Sequence, residues 1–277
     1  MSYNKNRLVM FMMMYDVKFK KSLGQNFLKN LNVVKRIVDI SGIDENSLVI
    51  EVGPGGGVMT KELAMVAKNV VAYEIDSDLT DELEKRLDGY DNVEVIFQDF
   101  LKSNIASDLE HYSYDKLFFV SNVPYYITTP IIMKIIDSSL PFENIVMMVQ
   151  KEVGDRFCTA PGSKEYGSIT VLLNYYYDIK KEFFVSKGNF VPSPNVDSLV
   201  VSFHEKKDKL DVYNLDFFKT IVRDSFQFKR KTLKNNLKNY DLKKIEEVLQ
   251  EYGYDLTVRA ENLSVDVFVN ISNKLIK

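Results

Sequence analysis

Leu48-Val-Ile-Glu-Val-Gly-Pro-Gly-Gly-Gly57 is the stretch on which the fold turns. Its first five residues are mostly β-branched and carry one acid, Glu51, the pattern of a strand buried on both faces. Four glycines follow within five positions, and Val58 onward opens a helix. Such a strand-to-helix passage suits an anionic or polar cofactor. Glycine lets the main chain approach a ligand, and a helix start offers unpaired N–H groups. Several motifs share the layout. A dinucleotide fingerprint needs a third glycine at position 58, which is Val58, and a P-loop needs a closing Gly-Lys-Ser/Thr, which is absent. What remains is E-x-G-x-G-x-G through Glu51, Gly53, Gly55 and Gly57. The bland alternative is a glycine-rich turn that binds nothing.

That pattern resembles motif I of the S-adenosylmethionine-dependent methyltransferases, and the strands that follow supply matching positions. A second strand over 70–75 carries Glu74 at its end, 17 positions after Gly57. There a carboxylate with two oxygens suits the two hydroxyls of a ribose. The alternative is that Glu74 only begins the next turn, with Asp76 or Asp78 capping the helix that runs to Leu87. A third strand, 93–97, ends in Gln98-Asp99-Phe100. Asp99 can accept from an exocyclic amine such as that of adenine, or it can cap a turn. A fourth strand, 117–121, delivers Asn122-Val-Pro-Tyr-Tyr126, and a fifth, 145–150, follows a helix around 131–136. Alternating strand and helix predicts an α/β fold, a doubly wound Rossmann-like sheet with ligands at the strands' C-terminal ends. All the candidate positions lie at such ends.

Before the first strand, Gln25-Asn26-Phe27-Leu28 leads from a basic loop into a helix with apolar residues at 31, 34, 37, 38 and 40, closed by Ser41-Gly42. Later, 169–177 reads as a helix, and strands are expected near Phe183 and over 196–203, with Phe190-Val-Pro-Ser-Pro194 turning between them. The charged run 205–209 reads as a linker. Beyond it, helices are expected over 215–226, 231–237, 242–252 and 265–276. The resulting division is a disordered extension, 1–18, a methyltransferase domain, 19–206, and a small helical domain, 210–277.

A chain of 277 residues with 45% apolar and 27% charged residues has room for a large domain and a small one. The net charge of −3 is unevenly spread. Residues 1–36 sum to +7 and residues 227–244 to +6, leaving about −16 elsewhere. Basic segments on an acidic body suit a local polyanion contact, though two solvated helix faces would look the same. Cys158 is the single cysteine, so no internal disulfide forms, which fits a reducing cytoplasm. No apolar run approaches bilayer length, and no membrane partner is expected. The Met-rich stretch 8–15 lacks a signal-peptide cleavage site and reads as a floppy extension, with translation plausibly starting at a later Met. His111 and His204 have no cluster of metal ligands around them, so no metal is expected, and nothing suggests an obligate oligomer, so a monomer is.

Asn122-Val-Pro-Tyr125 is the most specific chemical signal. An exocyclic amine is a poor nucleophile because its lone pair is delocalised into the ring. An Asn carbonyl together with a backbone carbonyl can accept both of its N–H groups and favour a tetrahedral, lone-pair-bearing nitrogen. Pro124 stiffens the turn and presents carbonyls without a competing N–H. Tyr125 can stack on the purine face, worth roughly 1–3 kcal/mol. Phe190, in a loop held by Pro192 and Pro194, can face the other side. Pro-Tyr-Tyr is otherwise a turn with buried aromatics, and Tyr126 is core by default.

These motifs together resemble the KsgA/RsmA ribosomal RNA adenine N6-dimethyltransferases from about Phe19 to the end. The match includes Lys21-Ser-Leu-Gly-Gln-Asn-Phe-Leu28, Glu51 to Gly57, Asn122-Val-Pro-Tyr-Tyr-Ile-Thr-Thr-Pro130 and Gln150-Lys-Glu-Val153. It continues through Lys164-Glu-Tyr-Gly167, Phe190 to Asp197, Arg230-Lys-Thr-Leu-Lys-Asn-Asn-Leu237 and Arg259-Ala-Glu-Asn-Leu-Ser264. The resemblance implies S-adenosyl-L-methionine bound by Asn26, Leu28, Gly53, Gly55, Glu74, Ile75, Asp99, Phe100 and Asn122. It implies that Asn122, Pro124 and Tyr125 hold the target adenine with Phe190 opposite. The implied substrate is two adjacent adenines in a hairpin loop near the 3′ end of small-subunit ribosomal RNA, within the small subunit or its precursor. Loop adenines can be splayed out, unlike duplex bases. Lys18, Lys20, Lys21, Lys229, Arg230 and Lys231 then become candidates for phosphate contacts. Val123 stands where the family often has Leu or Ile. The alternatives are an Erm-type enzyme that methylates large-subunit RNA, and an assembly factor whose binding outweighs its methylation.

Overall fold

The computed structural model describes residues 25–277. The expected disordered extension 1–18, and Lys18, Lys20 and Lys21 with it, lie outside the described residues. In chain order the strands are β1 (Phe27–Leu28), β2 (Ser47–Val52), β3 (Asn69–Glu74), β4 (Val93–Phe97), β5 (Lys116–Asn122), β6 (Phe142–Gln150), β7 (Tyr177–Val185), β8 (Phe190–Val191) and β9 (Ser198–Glu205).

Seven of these make one sheet in the order β4-β3-β2-β5-β6-β9-β7. β2 to β6 pair in parallel, and β9 runs antiparallel to β6. The chain winds outward from β2 to β4, then returns to place β5 and β6 on the other flank. The strand order therefore reverses between β2 and β5, and that reversal opens a crevice at their C-terminal ends. Every residue of β2 is buried, as its mostly apolar, β-branched run predicts. Ser121 Oγ donates to the Val52 carbonyl at 2.7 Å, locking the ends of β2 and β5 together across the crevice.

Helix Leu31–Ser41 covers this sheet through Val34, Ile37 and Val38. Its start is set by Asn30, whose side chain accepts from the Asn32 N–H, and its end by Gly42 at φ 76°, a left-handed conformation that suits glycine. The buried cluster below it joins Val49, Val70, Phe118, Val120 and Val146. Side chains of this size each contribute roughly 1.5–3 kcal/mol on burial.

The described residues divide into two compact units, 25–154 with 180–204, and 155–179 with 205–277. The expected boundary at 206 is thus incomplete, because 155–179 belongs with the C-terminal helices. The reason is aromatic packing. Tyr166 lies 6.2 Å from Phe226, and Tyr175 lies 5.0 Å from Phe218, ring centre to ring centre. Around them helices Ser168–Tyr176, Leu215–Ser225, Leu242–Glu251 and Val265–Ile276 bury Leu173, Ile221, Leu249 and Phe268. The helix expected over 231–237 is shorter, Leu233–Asn236. Among the described residues no helix is long and apolar enough to cross a membrane.

Candidate active site

The crevice between β2 and β5 deepens into a cavity whose walls come from four strand ends and the β1 segment. Gly53 to Gly56 follow β2, Glu74 and Ile75 end β3, Asp99 and Phe100 follow β4, Asn122 to Ile127 follow β5, and Gln25 to Leu28 close the side. Of the sequence candidates, Asn26, Leu28, Gly53, Gly55, Glu74, Ile75, Asp99, Phe100, Asn122, Pro124 and Tyr125 all line this one cavity.

Phe190 does not. It is 2% exposed and sits in the buried cluster with Leu28, its partner across the β1–β8 pair. The segment expected to be a turn is a short strand paired with β1, and the Phe190 ring packs into the buried cluster with Leu28. Tyr126 errs the other way: expected as core, it is 56% exposed at the cavity. Lys229, Arg230 and Lys231 are exposed on the turn after helix Leu215–Ser225. Asn236 fixes that turn, donating to the carbonyls of Ser225 at 2.7 Å and Phe228 at 3.3 Å and accepting from the Phe228 N–H at 3.1 Å.

The glycine loop is shaped for close approach. Gly55 has φ 56°, and a Cβ there would fall 2.7 Å from the Phe27 ring, so any larger residue pushes that ring into the cavity. Its N–H donates to Glu74 Oε2 at 3.1 Å, while Asp76 N–H donates to Glu74 Oε1 at 2.9 Å. Both oxygens of Glu74 are thus oriented by the main chain, and each keeps a second lone pair for a ligand hydroxyl. Burial raises the Glu74 pKa, opposed by those two N–H groups. Asp76 caps the turn Ser77–Leu79, as foreseen for it. Asp99 does what the bland reading asked, accepting from the Leu101 N–H at 3.0 Å, yet it also lines the cavity.

Glu51 is the residue whose importance the sequence understated. It is the acid inside an otherwise apolar strand, 2% exposed, lining the cavity, and its Oε2 has no hydrogen-bond partner. Burial pushes its pKa up to about 8, with the Thr60 hydroxyl pulling the other way and the Glu74 charge adding to the rise. The signal was an acid where both faces of a strand are buried. Ser198 and Lys134 carried no such signal, because both act through partners distant in sequence.

On the opposite wall, Asn122 donates from Nδ2 to the Asn26 carbonyl at 3.4 Å, which aims its side-chain oxygen away from that bond. The Pro124 carbonyl accepts from the Ile127 N–H at 3.1 Å, which closes the turn on one of its two lone pairs. The Tyr125 hydroxyl lies 2.6 Å from Ser198 Oγ, holding its half-buried ring.

Charge decides what the cavity accepts. Glu51, Glu74 and Asp99 line it, and no Lys, Arg or His does, among the described residues. A pyrophosphate would meet acidic side chains and no counter-charge, whereas a sulfonium with an ammonium group would be drawn in and would favour the ionised form of Glu51. The unpartnered Glu51 oxygen is the kind of group a cationic ligand satisfies. A sheet in this order, with a cation-seeking cavity at its reversal, defines a class I methyltransferase.

The comparisons with known proteins are specific. Residues 16–277 match the family of ribosomal RNA adenine dimethylases. Over 270 residues the chain is 45% identical to the ribosomal RNA small subunit methyltransferase A of Bacillus licheniformis, covering 94% of this chain and 92% of that protein. Over 283 residues it is 43% identical to the protein of the same name from Ligilactobacillus salivarius, covering 99% and 96%. Among solved structures, a dimethyladenosine transferase from Plasmodium falciparum aligns with a TM-score of 0.74 at 28% identity, over 88% of this chain and 95% of that one. The 23S rRNA methyltransferase ErmE shares the fold, with a TM-score of 0.70 at 24% identity over 91% and 100%. The chain belongs to the ribosomal RNA adenine dimethylases, enzymes whose cofactor is S-adenosyl-L-methionine.

Proposed function

We propose that this enzyme methylates N6 of two adjacent adenines in a hairpin loop near the 3′ end of small-subunit ribosomal RNA, giving N6,N6-dimethyladenosine during small-subunit biogenesis. The observation that carries the reading is the acid-lined cavity, with no Lys, Arg or His among its described lining residues, that ends at the Asn122–Tyr125 turn. The name shared by near-full-length relatives at 43–45% identity supports the choice of subunit.

The cofactor, when bound, supplies an electrophilic methyl on sulfur. Every other part of the task falls to this chain. Glu74 takes the ribose hydroxyls, Asp99 the adenine amine, and Ile75 and Phe100 the faces of that adenine. Gly53 and Gly55 let the main chain come close, with Asn26 and Leu28 closing the side. Glu51 balances the positive charge. The side-chain oxygen of Asn122 and the Val123 carbonyl, which has no assigned donor among the described residues, accept the two N–H groups of the target amine. Tyr125 supports the base from one face. The nitrogen's lone pair forms the new N–C bond as the S–C bond breaks, and the methylated nitrogen loses its proton to water, so no strong base is required. Rate comes from alignment and from carbonyl dipoles aimed at the developing positive charge. Lys229, Arg230 and Lys231 meet RNA phosphates, which makes binding weaken steeply with salt.

The test is methyl transfer to small-subunit particles from a strain lacking these methyls, with modified nucleotides mapped by mass. Asn122→Ala should lower turnover by about 2–4 kcal/mol, on the scale of removing one aligned polar group, while leaving the fold intact. Unchanged turnover would sink the role of Asn122, and methylation of large-subunit RNA alone would sink the choice of substrate.

A further inference from the structure

We propose that Tyr126 is a stacking platform for the nucleotide beside the target adenine, and so positions the second of two adjacent adenines. The inference rests on the function proposed above and deepens it. Among the described residues five aromatic side chains line the cavity: Phe27, Tyr73, Phe100, Tyr125 and Tyr126. The first four are buried or half-buried, and Tyr126 alone among them is exposed. No hydrogen bond, ion pair or ring contact holds it among the described residues, whereas its neighbour Tyr125 is tied to Ser198.

A lone exposed tyrosine is ordinary on a protein surface. This one differs by position and rigidity. It sits in the turn Tyr125–Ile127, directly after the residue proposed to hold the target base. That turn is fixed by the Ile127 N–H donating to the Pro124 carbonyl at 3.1 Å and by Thr128 Oγ1 donating to the Tyr125 carbonyl at 3.2 Å. A ring carried on a fixed turn at a cavity mouth loses little freedom when a base lies on it. An adenine drawn into the cavity leaves its neighbour with one uncovered face, and single-stranded bases are commonly received on aromatic rings. The platform needs the ring and not the hydroxyl.

The test uses the full chain with small-subunit particles lacking these methyls, in three forms: wild type, Tyr126→Ala and Tyr126→Phe. Tyr126→Ala should raise KM for the particle about tenfold, within the range of one lost base–aromatic stack. It should leave one adenine of the pair undermethylated and the cofactor Kd unchanged. Tyr126→Phe should match wild type in all three. Wild-type KM and wild-type methylation of both adenines in Tyr126→Ala would overturn the inference. So would Tyr126→Phe being as impaired as Tyr126→Ala, or a weakened cofactor Kd in Tyr126→Ala, which would move Tyr126 to the cofactor's subsite. A wild-type protein that transfers no methyl to small-subunit RNA would instead overturn the proposed function, a result visible before any variant is made.

Discussion

The Tyr125 hydroxyl and Ser198 Oγ, 2.6 Å apart, tie the turn after β5 to the first residue of β9. Ser198 is fully buried, so this bond orients the ring from within. Tyr125→Phe keeps the ring and loses the bond. It should slow single-turnover methylation by about 1 kcal/mol, the usual net worth of one hydrogen bond. Ser198→Ala should cost a similar amount, and the double variant Tyr125→Phe/Ser198→Ala little more than either alone, since both remove the same contact. Additive losses would show that the two side chains act separately.

Lys134 is a strut between two walls of the site. From helix Thr128–Ser138 it donates to the Ser103 carbonyl at 2.7 Å and the Leu101 carbonyl at 3.2 Å, and its ammonium lies 5.7 Å from the centre of the Phe100 ring. The same helix follows directly on the Tyr125–Ile127 turn. Lys134→Met keeps the stem and strands two carbonyls. Cofactor affinity should fall by about 1 kcal/mol, with a lower thermal midpoint. Calorimetry of cofactor binding to the two proteins decides the matter, and equal Kd values would remove Lys134 from this role.

Glu51 gives the cofactor-free protein a pH signature. Its pKa stands near 8 when folded and in the ordinary carboxylate range when unfolded. Between those values the folded protein holds a proton that the unfolded chain has released. Stability therefore falls as pH rises from about 5 towards 8. Glu51→Gln removes the titrating group and should flatten that decline in thermal melts, leaving the smaller slope due to Glu74. A slope identical to wild type would mean that Glu51 does not carry the proton.

The sheet was legible because its signals are local. β4 runs over the expected 93–97, β2 differs from expectation by one residue at one end, and β3 and β5 by one residue at each end, since buried β-branched runs bounded by turn residues leave few alternatives. The cavity wall was legible for a related reason: ligands of such a sheet gather at strand ends, and chain order alone brings those ends together. What escaped was direction. Phe190 and Tyr126 are both aromatic residues beside prolines or turns, and nothing within five positions of either says which way its ring points. Pairing with Phe27–Leu28, more than 160 positions away, turns Phe190 inward. The placement of 155–179 escaped likewise, because Tyr166 and Tyr175 find Phe226 and Phe218 only once the C-terminal helices exist.

Because residues 155–179 emerge during synthesis well before 205–277, their apolar faces wait uncovered until the last quarter of the polypeptide is made. A gene clipped after codon 205 would leave them uncovered permanently, yielding a sticky fragment and not a minimal catalyst.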